Sequence, residues 1–158
     1  ASLRSVPLWL DEGLAEYFET PRTNDRVNEE HLGRLTAAIA GGWKPDLPRL
    51  ETLSDVSEMQ ALDYHEAWAW VYSWLHGDEA ERQELVAYIH RLKEPRPPGN
   101  LSQSLAASGR NGEQRLLKAI AAIGAPHHSR EAEVEQAGFE RVETAEGAET
   151  PEALDEPR

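Results

Sequence analysis

The longest apolar pattern in the chain runs from Gln60 to His76. Tyr64, Trp68, Val71 and Leu75 recur at i, i+4, i+7 and i+11, and Trp70 and Trp74 cover an adjacent face. Apolar positions over so wide an arc predict a helix that its neighbours bury. Shorter helical patterns surround it. Pro7 suits a first turn and opens a helix over Leu8 to Glu19. Asn28 can cap a helix that carries Leu32, Leu35 and Ile39 on one side and ends at Gly41-Gly42. Asp78 with Glu81 is a capping-box pattern, and Leu85, Tyr88, Ile89 and Leu92 give the helix behind it an inner face. Two further helices are expected around Leu101 to Ala107 and from Glu113 to Ile123, with Gly124 and Pro126 as the stop. Pro21 to Asn28 reads as a polar connection, and Pro45 and Pro48 predict an irregular stretch.

These elements define a mainly α fold, a compact array of five to six helices over residues 1–128. Beyond Ser129 the pattern stops. Only Val134, Phe139, Val142 and Leu154 interrupt a Glu- and Ala-rich tail, residues 129–158, which buries too little to offset its chain entropy and is expected to be disordered. The tail holds ten acids against three bases, about half of the net charge of −13. So acidic a chain argues against nucleic acid as a partner, because phosphate binding draws on lysine and arginine. It also argues against an anionic membrane surface. No apolar run approaches the roughly 18 residues that span a bilayer. The absence of cysteine excludes disulfides, thiolate metal sites and cysteine nucleophiles. The chain begins at Ala1 with no visible signal segment, and is expected to be a fragment or processed form.

Candidate chemistry lies in the first helix. Glu12 and Glu16, at i and i+4, place two carboxylates on one face together with Trp9 and Gly13. Like charges at that spacing repel slightly, and a nearby cation would reverse the sign. Gly13 costs about 1 kcal/mol against alanine in a helix, so close approach of another helix is expected there. From spacing alone the pair also reads as a solvated acidic face with an incidental glycine.

The string Trp9-Leu10-Asp11-Glu12-Gly13-Leu14-Ala15-Glu16-Tyr17 resembles the W-L-x-E-G-x-A-x-Y segment of gluzincins, zinc peptidases whose third protein ligand is a glutamate. Tyr64-His65-Glu66-Ala67 is similar to the Y-E-K-G segment of gluzincin aminopeptidases, although the Glu-Lys-Gly part is not kept. Leu47-Pro48-Arg49-Leu50-Glu51-Thr52-Leu53, followed by Tyr64 and Trp68, looks most like an uncharacterised bacterial family of peptidase-MA-like domains. The resemblance covers roughly Pro7 to Leu92.

The resemblance implies a role for each matched residue. Glu12 would be the third zinc ligand. Glu16 would accept the free N–H of a zinc-bound histidine and fix its tautomer. Tyr64 would donate a hydrogen bond to the oxyanion that forms as water attacks a peptide carbonyl. Zinc is the implied cofactor, a peptide or protein the implied substrate, and an extracytoplasmic location is favoured. The family's H-E-x-x-H is the departure, since no histidine precedes Glu12. His65-Glu66 lacks the second histidine and follows Glu12 instead of preceding it. The chain alone is therefore expected to be inactive, the C-terminal part of a hydrolase whose histidines lie upstream. The alternative is a non-catalytic helical interaction domain that keeps the scaffold. His65 and His76 read as packed or hydrogen-bonded, His31 and His90 as surface residues, and His127-His128 as neighbours of the tail.

Overall fold

Ten of the fifteen residues of the helix Ala61–Leu75 are buried, on every side of it. Trp68, Trp70 and Trp74 are each at most 1% exposed. Surface that apolar is stable only when other elements cover it, and the rest of the fold is that cover. The structure is a computed structural model and describes residues 6–96 and 98–125. Its contacts divide the chain after Ile123, and the fold described here is the unit that ends there.

Among the described residues there are seven α-helices and no strand. They are α1 (Leu8–Glu19), α2 (Glu29–Ala40), α3 (Leu47–Leu50), α4 (Ala61–Leu75), α5 (Glu79–Arg91), α6 (Leu101–Ala107) and α7 (residues 112–125). Single 3-10 turns occupy Thr23–Arg26 and Val56–Glu58. The mainly α reading is borne out, and α1 has the expected bounds. The tail expected to be disordered lies outside the described residues. None of the described helices is long and apolar enough to cross a membrane.

Helix starts follow local chemistry. The Asn28 side chain accepts from the backbone N–H groups of Glu30 and His31, and Asp78 and Glu81 complete a capping box. The expected irregular stretch is a correction. Pro48 sits at the start of α3, where the Asp46 side chain accepts from Arg49 N at 3.0 Å and no proline N–H is needed. Gly124 does not stop α7, which runs on to residue 125.

Longer-range polar contacts lock the helices onto α4. Arg49 grips Asp63 with two nitrogens, at 2.6 and 3.1 Å. Burial raises the Asp63 pKa, but the hydrogen bonds from Arg49 and the Gln60 N–H outweigh it, and the net shift is downward. Glu51 reaches the start of α6, accepting from Leu101 N at 2.6 Å and Ser102 N at 3.2 Å. Arg115 of α7 donates to Glu81 at 2.8 Å and lies 5.0 Å over the Trp74 ring.

The closest packing lies between α1 and α4. A Cβ added at Gly13 would stand 2.6 Å from the Ala67 carbonyl oxygen and 2.9 Å from Val71 Cγ2. Neither a helix carbonyl nor a buried valine can move aside cheaply. Gly13→Ala should therefore destabilise the protein by about 1–3 kcal/mol, despite alanine's better helix propensity. Trp68→Ala should cost about 3–5 kcal/mol, the range for deleting a large buried aromatic. Urea unfolding of both variants is the check. A Gly13→Ala protein as stable as the parent would show that α1 and α4 have room to separate.

Candidate functional site

On α1 the buried stripe of Trp9, Leu10, Gly13 and Tyr17 faces the core, and Glu12 and Glu16 flank it. Both carboxylates are half-buried, and they meet different surroundings. Glu12 has no hydrogen bond or ion pair among the described residues. Glu16 Oε2 lies 3.0 Å from His31 Nε2 on α2.

His31 corrects an expectation. It is 7% exposed, not a surface residue. His31, Leu35 and Ile39 fall at i, i+4 and i+8, so the histidine belongs to the apolar face of α2, a signal the leucine pattern already contained. Its ring centroid is 5.3 Å from that of Trp68, at an interplanar angle of 31°. His31 Nδ1 lies 2.5 Å from His65 Nδ1 on α4. Burial, and then the neighbouring His31, push the His65 pKa down.

The reading of His65 and His76 as packed or hydrogen-bonded holds. His76 stacks on Tyr72 at 4.0 Å, with planes 3° apart, and pairs with the Tyr17 hydroxyl at 3.0 Å. Tyr64 is half-buried on α4, one turn before Trp68, and no hydrogen bond among the described residues joins it to Glu12 or Glu16. The structure thus pairs Glu16 with His31, which in turn meets His65, and among the described residues Glu12 and Tyr64 have no hydrogen-bond partner.

Among the described residues no three His, Asp or Glu side chains are grouped so as to hold a metal ion. Glu12, a half-buried carboxylate with no hydrogen bond or ion pair among the described residues, has the donor chemistry of a single zinc ligand.

A family model described as "Protein of unknown function (DUF1570)" matches residues 2–98. The chain belongs to the DUF1570 family. No curated protein and no solved structure matches it. The DUF1570 match covers α1 to α5, and with them Glu12, Glu16, His31, Tyr64 and His65, and it ends before α6.

A second feature straddles the end of the DUF1570 match. A cleft of about 480 Å³ is bordered by Lys44, Asp46, Trp70, Leu105, Arg110 and Glu113. Beside it lies Glu66, 2% exposed, whose Oε1 accepts from Asp46 N at 2.6 Å and from the Trp70 indole N–H at 3.2 Å. Glu66 is therefore directed at Asp46 and Trp70, whereas its neighbour His65 joins His31. Trp70 stands one turn on in the same helix, but the Asp46 N–H comes from another segment, which nothing in the local sequence marks.

Burial pushes the Glu66 pKa up to about 7; the two hydrogen bonds oppose this, and Asp63 and Asp46 add to it. An unfolded glutamate releases its proton near 4.5, the folded one near 7, so in that window the unfolded state binds fewer protons. Stability should fall as pH rises from about 4.5 to about 7, by about 3 kcal/mol, and then level off. Glu66→Gln keeps the accepting oxygen and cannot ionise. It should flatten that slope and be the more stable protein at pH 8. Denaturant unfolding of both proteins at several pH values decides this, and an unchanged slope in the variant would assign the effect elsewhere.

Proposed function

We propose that this segment is the C-terminal helical part of a zinc-dependent peptide hydrolase. The observation that carries the reading is the state of Glu12. It sits one turn from Glu16 on a helix held by the Gly13 contact, half-buried, with no hydrogen bond or ion pair among the described residues. A carboxylate drawn partly out of water is costly unless something pairs with it, and a metal ion would. The match between Trp9–Tyr17 and the gluzincin segment supports the same role.

On this reading Glu12 supplies one oxygen ligand, and two histidines come from chain outside this sequence. Zinc, when bound, would lower the pKa of a bound water and polarise the scissile carbonyl. Glu16 would hold a ligand imidazole through Oε1, the oxygen that His31 leaves free. Tyr64 would donate its hydroxyl proton in a hydrogen bond to the carbonyl oxygen as negative charge develops. The Gly13 contact fixes where the α1 carboxylates stand relative to α4, and so to the tyrosine.

The test is metal content and peptide hydrolysis of the complete protein that carries this segment. Glu12→Ala should lose both. Glu16→Ala should weaken metal affinity or activity about 10–100-fold. Tyr64→Phe should keep its metal and lower turnover about 100–1,000-fold. A Glu12→Ala protein with full zinc and full activity ends this reading. A parent protein that neither binds zinc nor cleaves peptides favours the helical interaction domain.

A further inference from the structure

Three helices contribute one side chain each to a single hydrogen-bonded line: Glu16 of α1, His31 of α2 and His65 of α4. The spacings are 3.0 Å from Glu16 Oε2 to His31 Nε2, and 2.5 Å between the two Nδ1 atoms. With Glu16 ionised and both rings neutral, these two contacts admit one placement of the protons. An ionised carboxylate only accepts, so His31 Nε2 carries a proton. A neutral imidazole then has a bare Nδ1, so the proton between the rings is carried by His65 Nδ1. The remaining nitrogen, His65 Nε2, is left without a proton. His65 is half-buried, and no hydrogen bond among the described residues occupies that nitrogen.

We propose that Glu16, His31 and His65 form a proton relay whose working end, His65 Nε2, acts as a base toward water or the hydroxyl group of a ligand beside α4. When His65 Nε2 takes the proton, the O–H bond breaks and the electron pair stays on oxygen. An N–H bond forms at His65 Nε2, the Nδ1–H bond of His65 breaks, and an N–H bond forms at His31 Nδ1. His65 ends neutral in its other tautomer, and His31 ends as the imidazolium. Giving the proton back reverses each step.

The surroundings favour the charge at the inner ring. His31 has the Glu16 carboxylate on one side and the Trp68 ring on the other, and a cation over an indole face is attracted to it. His65 is disfavoured as the seat of charge by burial, by His31 and by Arg34, against the pull of Glu30 and Glu16. The charged groups that act on His65 are thus Glu16 from α1, and Glu30 and Arg34 from α2. The relay needs no metal, and it shares only Glu16 with the zinc reading.

Nitrogen-resolved NMR of the histidine rings in the full chain is the direct test. In the neutral parent, His31 Nε2 and His65 Nδ1 should be protonated and His65 Nε2 bare, with a scalar coupling between the two Nδ1 atoms. On acidification the first proton should appear at His65 Nε2, while His31 becomes the ring with both nitrogens protonated. Glu16→Gln, which keeps the size of the side chain, should leave that charge on His65. His31→Phe should abolish the coupling and return His65 to the tautomer with the proton on Nε2. A proton on His65 Nε2 in the neutral parent, or no coupling there, overturns the proposal without any variant having to fold. The base is read separately with 4-nitrophenyl acetate in buffer containing a chelator. The chain's excess rate over buffer should be lost in His65→Gln. No excess, or an excess that survives His65→Gln, overturns the assignment of the base.

Discussion

The α1–α4 crossing at Gly13 is the contact on which the other features depend. Because residue 13 has no side chain, the α1 backbone comes against the Ala67 carbonyl and Val71. Helices at that distance bring the large side chains on either side of the crossing together. Trp9 reaches Trp74 at 6.1 Å and Tyr17 reaches Tyr72 at 6.3 Å. The same approach sets Glu16 at the edge of the seam, where α2 delivers His31. Any side chain at position 13 would push the seam open and move the carboxylates with it.

An interior this aromatic makes buried polar groups expensive, and three of the buried titratable side chains meet that cost in different ways. Asp63 stays ionised because a two-pronged guanidinium and a backbone N–H hold its charge. Glu66 has two neutral donors and no ion pair among the described residues, so burial favours its protonated form. His31 is fixed at both ring nitrogens, by a carboxylate and by a second imidazole. The same physics yields a stabilising ion pair, a pH-sensitive carboxyl and a proton path, depending on the partner each group meets.

The helical pattern was legible because its causes are local. Rotation of about 100° per residue sorts apolar from polar positions, and caps such as Asn28 and Asp78 act within one turn. The four-residue α3 was also local in origin, yet it was read as irregular, because prolines break helices everywhere except in their first turn. In the candidate site, Glu12, Glu16 and Tyr64 were marked by a motif and by helical spacing. The partner that Glu16 takes was not, since His31 lies on another helix.

What the sequence by itself determined, then, was where the longer helices begin, which face of each is apolar, and that Gly13 needed a close neighbour. Periodicity says which side of a helix turns inward. It carries no information about which residue of another helix arrives there. Only the tertiary structure decided that Glu51 caps α6, that Glu66 turns to Asp46, and that Glu16, His31 and His65 share one line. Each joins segments far apart in the chain. Their meeting depends on how the helices pack around α4, a property of the whole fold.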